Sequence, residues 1–221
     1  MNALDALRDA GYFFSHNLAA IARLCLPLIL LESVVQQLIG ERVDSGSAAL
    51  ASVIVGLLFY PLYSGALILF LAARSQGDTP SNRDVLAHSL RLWPAYALLA
   101  SLSTLAIMLG ASLFVLPGLW LMIKLSFGEF LLVLRGLPPL SALRASFDMT
   151  TGYFWPILLC VLAVMVPLWT LEIWLFPTPE NQPDALLSVL LSTLGGFLQL
   201  FTCVVLFRLF MLRESLPSPA E

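Results

Sequence analysis

Five ionisable side chains fall inside otherwise apolar stretches: Arg23, Glu32, Lys124, Glu129 and Glu172. Charged groups at membrane depth are costly, so each is a candidate site until a bland reading accounts for it. Arg23 sits near one end of its stretch and Glu172 near the opposite end of its own, where a long side chain can snorkel back to water. Glu32, Lys124 and Glu129 lack that escape and form a candidate intramembrane polar site. Lys124 and Glu129 are spaced i to i+5, which does not place them on one helical face, so each turns toward another helix. Glu32 and Lys124 both belong to the outer halves of their stretches, and a Glu32–Lys124 pair across a bundle fits that placement. As a structural pair it would fix helix register; as a functional one it would line a polar cavity for a lipid headgroup, ion or proton.

Other chemistry is sparsely provided. There is no HExxH metal motif, no Gly-rich phosphate loop and no aspartate deep in an apolar stretch. His16 and His88 lie near the ends of apolar stretches without a nucleophile in fixed register, so no catalytic, cofactor-binding or metal residue is expected. Cys25, Cys160 and Cys203 are far apart in apolar surroundings and read as small buried hydrophobes.

The elements that must carry these residues are transmembrane helices. Hydrophobic residues make up 59% and charged residues 11% of the 221, against roughly a quarter charged in soluble domains, so a water-soluble fold is excluded. No Lys/Arg run is dense enough for nucleic acid. The apolar residues fall in six blocks near 18–39, 47–73, 93–115, 118–134, 153–176 and 185–212, each about long enough to cross some 30 Å of hydrocarbon. The expectation is an all-α polytopic bundle of about six transmembrane helices in a single domain, 1–221. Leu116-Pro117-Gly118 reads as a tight turn between the third and fourth spans. Pro27, Pro61 and Pro167 predict kinks. Gly195-Gly196 with Ser192 and Thr193, and Ser101, Ser103 and Thr104, form small-residue patches suited to close helix packing. The N-terminus, with Asp5, Arg8 and Asp9 among apolar positions, does not read as a cleavable signal peptide.

Orientation follows from the arginines. With the N-terminus inside, Arg8, Arg74, Arg83, Arg91, Arg135, Arg144, Arg208 and Arg213 fall on the inner side and only Arg42 outside. Eight against one predicts cytoplasmic N- and C-termini. Glu41, Asp44, Glu180 and Asp184 fall in the outer loops.

The inner segments carry a second pattern. Leu4, Leu7, Gly11 and Phe14 oppose Asp5, Arg8, Asp9 and Tyr12; Leu86, Leu90 and Trp93 oppose Asp84, His88 and Arg91; Leu140, Leu143 and Phe147 oppose Ser141, Arg144 and Asp148. Each reads as an interfacial amphipathic helix. Arg8, Arg83, Arg91 and Arg144 are their candidate lipid-headgroup contacts. Leu4-Asp-Ala-Leu-Arg8 matches Leu140-Ser-Ala-Leu-Arg144, and aromatics follow each segment, with Trp93-Pro94 and Trp155-Pro156 read as anchors at helix first turns. The chain could therefore be three repeats of amphipathic helix plus two-span hairpin, at 1–73, 81–134 and 138–212, with convergent interfacial design as the competing explanation.

Leu116-Pro117-Gly118-Leu-Trp-Leu-Met-Ile-Lys124, then Gly136-Leu-Pro-Pro-Leu-Ser-Ala-Leu-Arg144-Ala-Ser146 and Thr151-Gly152-Tyr-Phe-Trp155, form one layout. It resembles the YciC-like family of bacterial inner-membrane proteins and, more distantly, is similar to the membrane domains of some glycerophosphodiester phosphodiesterases. The resemblance implies an inner-membrane address and an architecture rather than a reaction, since the catalytic phosphodiesterase domain has no counterpart here. The expected role is non-enzymatic engagement of lipid or another envelope component, as in membrane homeostasis or a scaffold. The alternative is a small transporter or lipid-translocating protein with a polar cavity between kinked helices. Membrane lipids are the expected partners, and a membrane-protein partner or homo-oligomer stays open.

Overall fold

The computed structural model describes residues 3–42, 45–175 and 185–214. Asp44, Glu180 and Asp184 of the expected outer loops lie outside the described residues, as do the side chains of Leu4, Glu41 and Glu172. Among the described residues the chain forms eight helices and no strand: α1 (Ala3–Arg42), α2 (Ser45–Ser75), α3 (Asn82–Leu113), α4 (Val115–Leu125), α5 (Gly128–Arg135), α6 (Pro139–Met149), α7 (Phe154–Leu175) and α8 (Ala185–Glu214). Six stretches are long and apolar enough to cross a membrane, with α4 and α5 together supplying the fourth. This is the all-α polytopic bundle the sequence predicts.

The bundle is dressed for lipid. Leu31, Ile54, Leu105, Leu109 and Trp174 stand on its outside, while Ile21, Leu67, Leu99, Phe127 and Leu209 are sealed within. Apolar side chains therefore face both ways, as they do where the solvent is itself hydrocarbon. Helix α1 packs on α2 and α8, and α2 on α3, so the first, second, third and last spans form the frame. Phe127 and Phe130 of α5 and its approach meet Phe207 and Phe210 of α8, with ring centroids 5.5–6.1 Å apart in the interhelical pairs.

The start of α1 and the end of α8 lie at one end of the frame. Asp9 of α1 pairs with Arg208 of α8 at 2.8 Å, and Arg135 pairs with Glu214 at 2.7 Å. Arg74 Nε, at the end of α2, donates to Asn17 Oδ1 of α1.

Two amphipathic segments take a form the sequence pattern did not separate. The first is the opening of α1, a 40-residue helix and so about 60 Å long, twice the hydrocarbon thickness. The second opens α3, where Pro94 lies in the helix interior instead of its first turn. The helix runs on through both junctions, in α1 with no proline between segment and span and in α3 past Pro94 itself. Only the third, α6, stands alone, bounded by Pro138 and Gly152.

The turn between the third and fourth spans is also displaced. The single non-helical residue is Phe114, extended at φ −162° and ψ 155°. Leu116-Pro117-Gly118 is already helical, and Pro117 is tolerated there because the first turn of a helix needs no N–H from it. Gly118 makes this hairpin possible: a Cβ on it would lie 2.8–2.9 Å from Ala111 Cβ, Cα and N.

Candidate functional site

The fourth span is broken, and the break builds the site. Ser126 and Phe127 interrupt the helix between α4 and α5. α5 ends at Gly136 in the left-handed conformation (φ +64°), where Gly136 N–H bonds Leu132 O and Leu137 N–H reaches Leu131 O. The chain then folds α6 back along α5, placing Leu143 against Gly128 and Ser146 against Phe127. A helix break inside a membrane leaves backbone groups that lipid cannot satisfy. Here Ser146 satisfies them: its hydroxyl accepts from Phe127 N–H at 3.1 Å and donates to Lys124 O at 2.8 Å. The Lys124, Ser146 and Thr151 of the sequence layout thus converge on one joint.

Lys124 is part of that joint. It is 6% exposed, and its Nζ donates to Thr151 Oγ1 at 2.7 Å and to Phe147 O at 3.4 Å, with the Phe147 ring centroid 4.7 Å away. It does not pair with Glu32. The expected Glu32–Lys124 bridge is therefore absent, because the break turns Lys124 toward the end of α6.

Glu32 and Glu129 are brought together instead. Both line a cavity of about 470 Å³ walled by α1, α2, α3, the α4–α5 break, α7 and α8. Glu129 lies just past the break and receives the Tyr60 hydroxyl at 2.8 and 3.0 Å from its two oxygens. Glu32 accepts from Gln36 Nε2 at 3.1 Å, with Tyr63 beside it. Neither carboxylate has a basic partner among the described residues. Two hydroxyls in the same wall, Ser103 Oγ and Thr202 Oγ1, are buried and have no hydrogen-bond partner among the described residues. A second cavity of about 330 Å³ between α1, α2, α7 and α8, polar at Ser33, Gln36 and Gln199, shares Glu32, Tyr63 and Met165 with the first. Glu32 stands at their common wall.

An ionised carboxylate withdrawn from water is costly unless paired, so two in one apolar bundle without a base each call for a proton or a positively charged partner. The chamber is otherwise mostly apolar, with Val53, Leu57, Ile107 and Leu206 among its lining. That combination suits a small molecule with a cationic centre and an apolar body.

The remaining sequence candidates lie elsewhere. Arg23 is exposed on α1. Arg8, Arg83, Arg91 and Arg144 are all exposed, on three different helices. Ser101, from the small-residue patch of α3, bonds back to Ala97 O, while its neighbours Ser103 and Thr104 face the cavity. Sequence reasoning missed Tyr60 and Tyr63. Their signal was position: tyrosine is enriched at membrane interfaces, and these two fall mid-span.

Bundle and chamber together define a polytopic membrane protein with two glutamates in a mostly apolar internal chamber. The sequence profile of UPF0259, an uncharacterised protein family, matches residues 46–212, and the chain belongs to that family. It is 31% identical over 181 residues to a UPF0259 membrane protein of Yersinia pestis (strain Pestoides F), covering 80% of this chain and 67% of that one. The same figures hold for a UPF0259 membrane protein of Yersinia pseudotuberculosis serotype O:3 (strain YPIII). No solved structure matches.

Proposed function

We propose that this chain is a non-enzymatic protein of the bacterial inner membrane that binds a small lipophilic cation in its carboxylate chamber and passes it across the bundle, with both termini cytoplasmic. The observation that carries this reading is the placement of Glu32 and Glu129, neither paired with a base, in one cavity. Its volume of about 470 Å³ lies within the range of small-molecule sites. Ser103 and Thr202 add polar side chains to the same wall, their hydroxyls buried without a partner among the described residues. The second cavity meeting the first at Glu32 supplies the beginning of a path. Prolines within α1, α2 and α7, at Pro27, Pro61 and Pro167, border the same helices, as in transporters built on interrupted spans. The gathering of Arg8, Arg74, Arg135 and Arg208 at the end that carries the termini supports the cytoplasmic assignment. The likeness to YciC-like proteins and to phosphodiesterase membrane domains along Leu116–Trp155 fits the inner-membrane address.

The test uses tetraphenylphosphonium and its anionic isostere tetraphenylborate on the purified chain in nanodiscs. The cation is expected to bind, the anion not, and Glu32→Gln or Glu129→Gln should each weaken the cation about tenfold to a hundredfold, the worth of one close charge pair. Equal binding of both ions, or unaltered binding in both variants, refutes the reading. Uptake into proteoliposomes then separates passage from binding alone.

The exposed Arg8, Arg83, Arg91 and Arg144 favour a second role, engagement of anionic lipid at the surface.

A further inference from the structure

At the end of the bundle where α1 begins and α8 ends, the first turns of α1, the last turns of α2 and the late part of α8 enclose a groove of about 580 Å³. It lies apart from the carboxylate chamber and shares no lining residue with it. Its polar side holds three arginines, Arg8, Arg74 and Arg208, and a single acid, Asp9. Three positive charges against one negative leave it at +2. Its other side is apolar, with Phe13, Leu71, Val204 and Phe207.

The arginines are held in place but their donors are only partly used. Arg208 gives one terminal nitrogen to Asp9 at 2.8 Å. Arg74 uses its Nε on Asn17 Oδ1 at 3.2 Å and lies 6.0 Å from the Phe70 ring, so the guanidinium is oriented while its two terminal nitrogens make no bond among the described residues. Arg8 makes no polar contact among the described residues and is exposed. Guanidinium groups present paired N–H donors that match phosphate oxygens, and several around one groove exceed what a single aspartate can satisfy. The apolar side decides what kind of phosphate. A free anion has no use for Phe13, Leu71 and Phe207, whereas the glycerol and upper acyl chains of a phospholipid do. The groove also opens where α1, twice as long as the hydrocarbon is thick, leaves the membrane, which is headgroup level.

We infer that this groove binds the phosphate-bearing headgroup of an anionic phospholipid from the leaflet against the terminal end of the bundle. The inference is independent of the carboxylate chamber and stands if that reading falls. Of the four arginines the sequence pattern offers as headgroup contacts, only Arg8 belongs to the groove. Its partners there, Arg74 and Arg208, come from helix ends 66 and 200 residues further on in the chain.

Native mass spectrometry of the delipidated full chain tests it, with phosphatidylglycerol, phosphatidylcholine and inorganic phosphate as probes. Phosphatidylglycerol should bind at least tenfold more tightly than phosphatidylcholine, and millimolar phosphate should not displace it. Arg8→Gln and Arg208→Gln should each weaken phosphatidylglycerol about fivefold, the effect of one basic side chain at an anionic surface, while Arg42→Gln, exposed at the far end of α1 and outside the groove, should leave it unchanged. Arg8→Gln is the decisive variant, because Arg8 supports no contact whose loss could disturb folding. Equal affinity for the two lipids, an equal loss in Arg42→Gln, or no loss in Arg8→Gln overturns the inference. Displacement by inorganic phosphate at similar concentration overturns it in favour of a free-phosphate site.

Discussion

Ser146→Ala tests whether the broken fourth span is held by one hydroxyl. Ser146 is fully buried, and its Oγ bonds Phe127 N–H at 3.1 Å and Lys124 O at 2.8 Å. Alanine keeps the helix and the packing of α6 but leaves a backbone donor and an acceptor unpaired in an apolar interior. Each such group costs about 1–3 kcal/mol in a water-soluble protein. Membrane hydrogen bonds average nearer 0.6 kcal/mol, because the unfolded chain in lipid finds partners too. Thr150 Oγ1, 3.4 Å from Lys124 O, can take over part of the acceptor. Combining these, the loss should be about 2 kcal/mol, chiefly from the unpaired Phe127 N–H. The assay is a denaturant titration in mixed micelles, with Ser141→Ala, exposed on the same helix, as the control. Because Glu129 follows Phe127 by two residues, Ser146→Ala should also weaken tetraphenylphosphonium binding, and Ser141→Ala should not. A loss below about 0.5 kcal/mol, or one equal to that of Ser141→Ala, would refute the assignment of Ser146 as the clasp, since surface changes alone reach that size.

Three further outcomes follow from the same geometry. Glu32→Gln and Lys124→Met should add in stability to within about 0.5 kcal/mol, as for sites with no shared partner; a coupling of 1 kcal/mol or more in the double-mutant cycle would restore the pair the structure separates. Gly118→Ala should cost about 1–3 kcal/mol by overpacking, because its Cβ would meet Ala111 backbone atoms at 2.9 Å, while Gly11→Ala, with nothing within 4 Å, should be neutral or slightly stabilising. Thermal unfolding of both glycine variants checks this, and equal losses would contradict it. Glu214→Gln breaks the Arg135 ion pair, whose side chains are 45% and 40% exposed, so unfolding should change by less than about 1 kcal/mol and the difference should vanish at high salt.

The spans were legible in the sequence because lipid imposes a plain rule: about twenty apolar residues in a row, with arginines gathered at one end. Glu32 and Glu129 were legible for the same reason, since a carboxylate in such a run stands out. What could not be read was direction. Lys124 and Glu32 share a depth by counting residues, and a straight fourth span would have let them meet. The break at Ser126-Phe127 carries no glycine or proline at its centre. It exists because Ser146, twenty residues later, rewards it with two hydrogen bonds, a non-local term invisible to local propensity. The amphipathic segments were misjudged in extent for a related reason. Periodicity reports which face is polar, not where a helix ends: α1 has no proline between its polar and apolar parts, and α3 runs on through Pro94.

The break also explains why the chamber is acidic. An unbroken fourth span would carry Lys124 and Glu129 on one continuous helix, with their side chains less than two turns apart. The joint instead fastens the ammonium to Thr151 and Phe147 on the α6 side and leaves the carboxylate with Tyr60 on the α2 side. Charge separation within five residues is thus achieved by backbone, and its cost is borne by the Ser146 clasp. A chain that needed only a stable bundle would gain by letting the two charges meet or by replacing both with apolar residues. Keeping them apart, each satisfied by neutral partners, preserves an unpaired carboxylate facing a cavity, the feature on which the proposed cation site rests. On this argument Lys124→Met should leave tetraphenylphosphonium affinity within about twofold of the parent, because the lysine is not the counter-charge of the site. A tenfold tightening would show instead that Lys124 opposes the ligand electrostatically and that the chamber and the joint are one site.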